Sequence, residues 1–273
     1  MLRSTIAVAV GLVAVSAVAT EPRLPFLLNL QGGMTQVRYT HGSLDRAANL
    51  QRRLDLLIGE TARRLGVQSP LECLVMSREE WESMKWQWSY GLPLSVGPSR
   101  MAVPAWGDPD SLDLWEAALG RRLPPAPGMP MRGTPEEASA LAVSDLLAQM
   151  VAAEALVEGS GLPVTEPWHV EAIADLMAVD GFMRYESLRL GEIDGLFRAF
   201  DASPGGAAVR GSELAWLKAS AAGYDAARLA LSERGSAPLK KLIKRVRKKG
   251  LAVTTSDLVA AYGTGLAEAY QRK

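Results

Sequence analysis

Cysteine and histidine are scarce in this sequence of 273 residues, which contains one cysteine and two histidines. A single cysteine excludes any disulfide within the chain, so packing must stabilise the fold. That residue, Cys73, lies in the apolar segment 71–76, which predicts a strand with a buried and inert thiol. A cysteine nucleophile needs a histidine partner, and only His41 and His169 are present, so a cysteine hydrolase is not expected.

The sequence also lacks net charge, since 30 basic residues balance 30 acidic residues. No field of one sign surrounds the whole molecule, and we therefore expect no nucleic acid partner. Hydrophobic residues make up 48% of the chain, which is enough to bury a substantial core. Length and composition together predict one large domain or two tightly joined subdomains.

After the N-terminal segment, we expect no apolar run that crosses a membrane. The N-terminus itself has the pattern of a secretory leader, with Arg3, an apolar stretch at residues 6–18 and small residues at 17–19. This pattern predicts cleavage after Ala19 and export to the periplasm or the extracellular space. The alternative is an uncleaved N-terminal membrane anchor, although the apolar run is shorter than the roughly 20 residues that span a bilayer.

The clearest break in the sequence is the proline-rich segment 124–130. Before the break we predict a signal peptide (1–19), a connector (20–34) and an α+β subdomain (35–123). After the linker, at 124–133, almost every segment has a helical pattern, which predicts a helical subdomain at 134–273. The predicted fold class is α+β, with a small N-terminal sheet and helices followed by a mainly helical C-terminal half.

Periodicity and capping signals also predict the individual elements. Strands are expected at 35–39 and 71–76, with a short strand at a sheet edge near 100–104. Helices are expected at 43–65, at 77–86 with a capping box from Ser77 to Glu80, and at 110–119. The predicted C-terminal helices are 135–158, 168–179, 188–200, 212–232, 237–249 and 256–271.

Two of the predicted helices carry the most specific pattern in the chain. An apolar helix covering residues 141–158 is followed by a second helix in which residues 168–174 read Trp-His-Val-Glu-Ala-Ile-Ala. Their order and spacing resemble the zinc-bearing helices of gluzincin metallopeptidases, which carry His-Glu-x-x-His and then Trp-x-x-Glu-Gly-x-Ala. Segments 37–39, 77–81 and 223–250 are similar to the peptidase MA-like family of these enzymes. The resemblance implies a zincin-like fold over residues 35–270.

The resemblance also assigns roles to four positions. Ser144 and Ala148 occupy the two histidine positions, Asp145 the general-base position, and Glu171 the position of the third metal ligand. A register one residue later would instead place Asp145 and Gln149 at the ligand positions. Both imidazoles are missing in either register, and Zn²⁺ favours nitrogen or sulfur donors. We therefore expect no catalytic residue and no cofactor here, with zinc present only if unorthodox ligands hold it.

Aromatic residues and a histidine supply candidates for a ligand-binding cleft between the two subdomains: Trp86, Trp88, Trp168 and His169. Packing of the Trp86 and Trp88 rings against the sheet is the leading interpretation, and the resemblance implies the alternative that they line the substrate groove. His169 is expected at a surface or at a helix start. It lies two positions before Glu171, and such neighbours do not share a helix face.

Residues 237–250 contain seven lysines and arginines, with apolar residues at positions 239, 242, 243 and 246. This spacing predicts an amphipathic basic helix. One interpretation is a docked helix with a solvated outer face. The other is contact with an anionic envelope surface, such as lipid headgroups or cell-wall polymers, through Lys240, Lys241, Lys244 and Arg245.

The leading functional hypothesis is an exported, noncatalytic relative of gluzincin metallopeptidases that binds a peptide or protein in the remnant cleft. One alternative is an active metal-dependent peptidase with unorthodox ligands, using Glu171, Asp145 and His169. Another is a structural envelope protein. Whether the chain is an enzyme stays open at this point, although the missing histidines favour an inactive protein.

Overall fold

The computed structural model describes residues 27–67, 69–125 and 133–271. The predicted signal peptide, the first part of the connector and most of the proline-rich linker lie outside these ranges. Within them, a small mixed sheet with its helices is followed by a mostly helical remainder, so the predicted α+β class is confirmed.

Five strands form one sheet in the order β1-β2-β3-β5-β4. The strands are β1 (Leu28–Leu30), β2 (Thr35–Tyr39), β3 (Leu71–Met76), β4 (Leu94–Gly97) and β5 (Arg100–Pro104). The three inner strands β2, β3 and β5 run parallel, and both edge strands are antiparallel to their neighbours.

The prediction that residues 100–104 form an edge strand was wrong, because β4 covers that side. Four of the five residues of β5 are buried, as is usual for an inner parallel strand. Strand β1 was not predicted and lies within the expected connector.

The helices of the N-terminal part are α1 (Leu44–Leu54), α2 (Glu60–Leu65), α3 (Arg78–Ser83) and α4 (Pro109–Leu119). Helix α2 ends as predicted at Gly66, which adopts a left-handed conformation with φ of 84°. The capping box between Ser77 and Glu80 is confirmed at the start of α3. That helix ends at Ser83, earlier than predicted, and the chain then turns at Lys85, where φ is 53°.

A π-helical turn, Asp55–Gly59, joins α1 to α2 where a continuous helix was predicted. The Asp55 carboxylate accepts hydrogen bonds from the backbone N–H groups of residues 33, 34 and 35, at 3.1, 3.1 and 2.8 Å. On the other side the turn packs closely against Gly181, where a Cβ atom would lie 2.6 Å from the Leu57 carbonyl oxygen. The turn is therefore held between the start of the sheet and a helix of the C-terminal half.

The C-terminal part contains seven α-helices within the described residues: α5 (Pro135–Gly159), α6 (Trp168–Tyr185), α7 (Leu190–Asp201), α8 (Gly211–Arg234), α9 (Ala237–Lys249), α10 (Thr255–Tyr262) and α11 (Thr264–Gln271). Helix α6 runs six residues further than predicted. The predicted helix at 256–271 is two helices separated by Gly263, whose φ is 88°.

The two faces of the sheet bury different cores. Alternate side chains of β3, including Cys73 and Val75, join a large core that continues through α5, α6 and α8 to Tyr270. The opposite face, with Leu74 and Met76, packs against Trp81 in a smaller core. The large core is continuous across the predicted subdomain boundary.

Helix α5 lies in the middle of this large core, against β5, β4 and α6. Contrary to the expectation from sequence, α5 is long and apolar enough to cross a membrane by length and composition. However, 78% of its apolar window is buried inside the protein, as in a core helix. Its apolar character is therefore explained by packing against the sheet and α6.

Candidate functional site

Helix α5 buries both positions that the resemblance assigns to metal-binding histidines. Ser144 and Ala148 are fully buried, and Ala148 belongs to the large core. The Ser144 hydroxyl has no hydrogen-bond partner among the described residues. These positions supply one buried hydroxyl and one methyl group, which are poor donors for Zn²⁺.

Asp145, at the general-base position, is held by two arginines of α1. Arg46 forms a two-point ion pair with this carboxylate, in which Nη1 donates to Oδ2 at 2.9 Å and Nη2 donates to Oδ1. Arg53 approaches Oδ2 at 3.8 Å and also pairs with Glu186 at 3.0 Å. The carboxylate at the general-base position is therefore already engaged by arginine side chains.

The later register gives no better metal site. Gln149 is buried, and its side-chain nitrogen donates to the Asp145 carbonyl oxygen at 3.3 Å. Glu171 lies exposed in the first turn of α6. No cluster of three or more histidine, cysteine, aspartate or glutamate side chains able to hold a metal occurs in the described ranges. The donors present at these positions do not fit a catalytic zinc.

Trp168 and His169 pack at the start of α6, away from the other two cleft candidates. The Trp168 ring stacks on Tyr270 of α11 with ring centroids 5.9 Å apart. His169 is fully buried, which corrects the surface interpretation but agrees with a helix start. Its Nδ1 accepts from the Glu166 N–H at 3.3 Å, and its Nε2 lies 3.1 Å from the Thr255 hydroxyl oxygen. Burial lowers the pKa of His169, so the neutral ring is favoured.

Trp86 and Trp88 do line a pocket between the two predicted subdomains, with a volume of about 430 Å³. We call it the aromatic pocket. Most of its lining comes from α3, the following loop and α4, and the opposite side comes from Ala208 and Arg210 near the start of α8. Neither Trp168 nor His169 belongs to this lining. The four predicted cleft residues therefore do not share one pocket.

The loop that carries Trp86 and Trp88 is fixed by helices on both sides. The Trp81 indole N–H donates to the Trp88 carbonyl oxygen at 2.9 Å. From α8, the ring of Trp216 packs edge-on against Trp88, with 5.5 Å between ring centroids. Trp88 is thus held in place by α3 and by α8, and Trp86 packs edge-on against Trp81.

Glu213 of α8 is the residue that connects this loop to the helical part. Its carboxylate is completely buried and accepts hydrogen bonds from the Ser89 N–H at 2.7 Å and the Arg210 N–H at 3.0 Å. Arg210 in turn donates to the Gln87 carbonyl oxygen. Sequence reasoning missed Glu213, although its position three residues after the N-cap of α8 is a helix-start signal.

The charged groups of the aromatic pocket are unevenly paired. Arg78 forms ion pairs with Asp108 and Asp110, each at 2.7 Å, and its guanidinium lies over the Tyr90 ring, 5.2 Å from the centroid. Burial raises the pKa of Tyr90 to about 12, so its hydroxyl stays protonated. Asp113 is exposed and has no ion pair among the described residues. A carboxylate beside aromatic rings is thus open to a ligand.

The basic residues named from sequence lie on the exposed face of α9. Lys240, Lys241 and Lys244 are solvent-exposed. Arg245 is also exposed and forms an ion pair with Asp257 of α10. These residues are far along the chain from the aromatic pocket and do not line it.

Comparisons with protein-family models, with curated proteins and with solved structures found no match to this chain.

Proposed function

We propose that this chain is an exported, noncatalytic protein of zincin-like architecture that binds a peptide or protein ligand in the aromatic pocket. The observation that carries the proposal is a preformed pocket in which Trp88 is held by both Trp81 and Trp216, and Trp86 packs edge-on against Trp81. Ligand sites commonly combine aromatic surface with a few positioned polar groups, often where two parts of a fold meet.

The zincin-like part of the proposal is supported by the position of α5 and α6. Helix α5 packs against the sheet through β5 and β4, and α6 packs against α5. This is the pair of helices that the resemblance implies, and it follows a small sheet with its own helices.

The proposed absence of catalysis is supported by the burial and ion pairing of the α5 residues at the ligand and base positions. A hydrolytic metal centre needs an open coordination position for water. Ser144 and Ala148 instead lie buried, and Asp145 is engaged by Arg46. The ligand positions thus offer no good zinc donor, and the carboxylate at the base position is already paired with an arginine.

The ligand chemistry that fits the aromatic pocket is a basic side chain in an extended peptide. The faces of Trp86 and Trp88 attract a cation, as the Tyr90 ring already does for Arg78. Asp113 can supply an opposite charge, because no basic side chain among the described residues pairs with it. Trp86 and Trp88 would contact the aliphatic part of a lysine or arginine.

Peptide binding can be measured with blocked glycine pentapeptides that carry a central lysine, glutamate or leucine. We expect the lysine peptide to bind roughly ten-fold more tightly than the glutamate peptide, because cation–π attraction and an ion pair both favour it. Fluorescence or calorimetric titration of the full chain gives the affinities. Equal affinity for all three peptides, or no binding, would contradict the proposed ligand.

Two variants and a control locate the binding site. Trp86→Ala should weaken binding of all peptides, whereas Asp113→Asn should weaken only the preference for lysine. Glu233→Gln removes the same charge from an exposed position on α8 and should change neither. If Trp86→Ala binds like the unmodified protein, the ligand lies elsewhere.

Metal content tests the noncatalytic part separately. Protein purified without chelators should contain much less than one zinc per chain. Stoichiometric zinc that is lost in Glu171→Ala would overturn the noncatalytic assignment and favour the peptidase alternative.

A further inference from the structure

A concave basic surface lies between α2 and α9, and no residue assigned above to the aromatic pocket belongs to it. Its cavity has a volume of about 370 Å³. The charged lining consists of Arg63 and Arg64 from α2 and Lys240, Lys244 and Arg247 from α9. None of the lining residues is acidic. We call these five residues the basic groove.

The basic groove combines two arginines of α2 that form ion pairs with three residues of α9 that do not. Arg64 pairs with Asp180, and Arg63 pairs with Glu60 at 2.5 Å. Lys240, Lys244 and Arg247 are exposed, and none of them has an ion pair within the described part of the chain. Three unpaired cations at i, i+4 and i+7 share one face of the helix.

The apolar face of α9 is fully occupied inside the protein. Its apolar residues Leu239, Leu242, Ile243 and Val246 are all buried in the large core. Amphipathic helices that enter a bilayer insert this kind of face between the lipids. Helix α9 has no such face available, so its partner must be held by charge at the surface.

We propose that the basic groove binds phosphate-bearing headgroups of an anionic lipid surface, without insertion of α9 into the bilayer. Lys240, Lys244 and Arg247 surround one phosphate in the concave part. Lys241, Lys248 and Lys249 are exposed on the same helix and extend the positive surface beyond the groove. A single small anion would need only the groove, whereas a layer of headgroups engages the whole helix.

Attraction of this kind is additive in charge and sensitive to salt. Each basic residue near an anionic membrane strengthens binding by a roughly five-fold factor, and screening removes the effect within about 10 Å at 0.1 M salt. Replacing three cations should therefore weaken binding roughly 100-fold at low salt.

Vesicle co-sedimentation of the full chain tests the proposal. Vesicles of phosphatidylcholine alone are compared with vesicles that also contain phosphatidylglycerol or phosphatidic acid. We expect binding to both anionic compositions at low salt, release at high salt and no binding to the neutral vesicles. Absence of binding to anionic vesicles at low salt would overturn the proposal.

The decisive variant is Lys240→Gln, Lys244→Gln and Arg247→Gln in one chain. The control variant also loses three positive charges, but at exposed positions outside the basic groove: Arg121→Gln, Arg122→Gln and Lys218→Gln. The first should lose binding and the second should keep it within about two-fold. Equal loss in both would show that net charge, and not the basic groove, is responsible. All six positions are exposed, so urea unfolding should confirm that both variants remain folded.

Two soluble probes distinguish the source of the phosphate. Inorganic phosphate and a single-stranded oligonucleotide are each added as competitors at the phosphate concentration of the vesicles. We expect weak competition from both. Complete displacement by inorganic phosphate would identify a small-anion site, and stronger binding of the oligonucleotide would identify a nucleic acid site; either result would overturn the lipid assignment.

Discussion

Arg46 and Asp145 lie 99 positions apart in the chain and form a two-point ion pair between α1 and α5. Both side chains are largely buried, at 5% and 13% exposure. The pair joins the sheet-bearing part of the chain to its central helix. It also occupies the carboxylate that the sequence resemblance assigned to catalysis.

The first prediction concerns the stability that depends on this pair. Arg46→Met or Asp145→Asn leaves a buried partner without its counter-charge, and each should lower the free energy of unfolding by about 3 kcal/mol. Urea denaturation measures the loss. Arg53→Met is the control, because Arg53 is 30% exposed and its removal should cost less than about 1 kcal/mol.

The double variant Arg46→Met, Asp145→Asn gives a further check on the same pair. Since it removes both charges, its loss of stability should be smaller than the sum of the two single losses. Strict additivity would mean that the two side chains do not interact.

The second prediction concerns Glu213. Glu213→Ala leaves the Ser89 and Arg210 N–H groups without their acceptor, so unfolding free energy should fall by about 2 kcal/mol. Hydrogen exchange at the Ser89 amide should become faster, because the loop of the aromatic pocket is released. Glu233→Ala, at an exposed position of α8, should change neither quantity. An unchanged hydrogen-exchange rate at the Ser89 amide in Glu213→Ala would contradict the role of Glu213 in holding this loop.

The third prediction concerns pH. Burial lowers the pKa of His169 in the folded chain below its value in the unfolded chain, which is about 6.5. The unfolded chain therefore binds the proton more readily, and stability falls as the pH drops below about 6.5 toward the folded-state pKa. Denaturation at a series of pH values should show that the free energy of unfolding of His169→Gln falls less steeply as the pH decreases. An identical slope in both proteins would exclude this residue as the cause.

The fourth prediction concerns Cys73. Burial raises the pKa of this thiol to about 12, so almost no thiolate is present near neutral pH. A thiol reagent should modify the folded chain only at the rate of unfolding and should react fully in concentrated denaturant. Rapid reaction of the folded protein would contradict the buried strand position. This outcome would also reopen the question of nucleophilic chemistry at β3.

Local features were accessible from the sequence because their causes are local. The capping box of Ser77 and Glu80 and the stop at Gly66 involve residues within one turn of each other. Alternation of apolar residues likewise predicted β2, and the apolar segment 71–76 predicted β3 with its buried Cys73. In each case the residue type and its spacing are sufficient to determine the structure.

The arrangement of the sites was not accessible in this way. Asp145 faces Arg46 and Ser89 meets Glu213 through contacts across 99 and 124 positions, and no short pattern specifies them. The prediction that Trp168 and Trp86 line one cleft was wrong for the same reason. Two residues of the same type need not lie close together in the fold. The edge position of β4 also depends on pairing between segments.

The π-helical turn at Asp55–Gly59 changes the direction in which the side chains of α2 point relative to those of α1. Arg46 and Arg64 are 18 positions apart, which in an uninterrupted α-helix is five complete turns and would point both side chains the same way. One additional residue within the turn rotates everything after it by about 100°. Arg46 is consequently directed to α5 and Arg64 to Asp180 of α6. If the same residues formed a regular α-helix with no residue removed, both side chains would point the same way, and one of the two arginines would have to leave its aspartate.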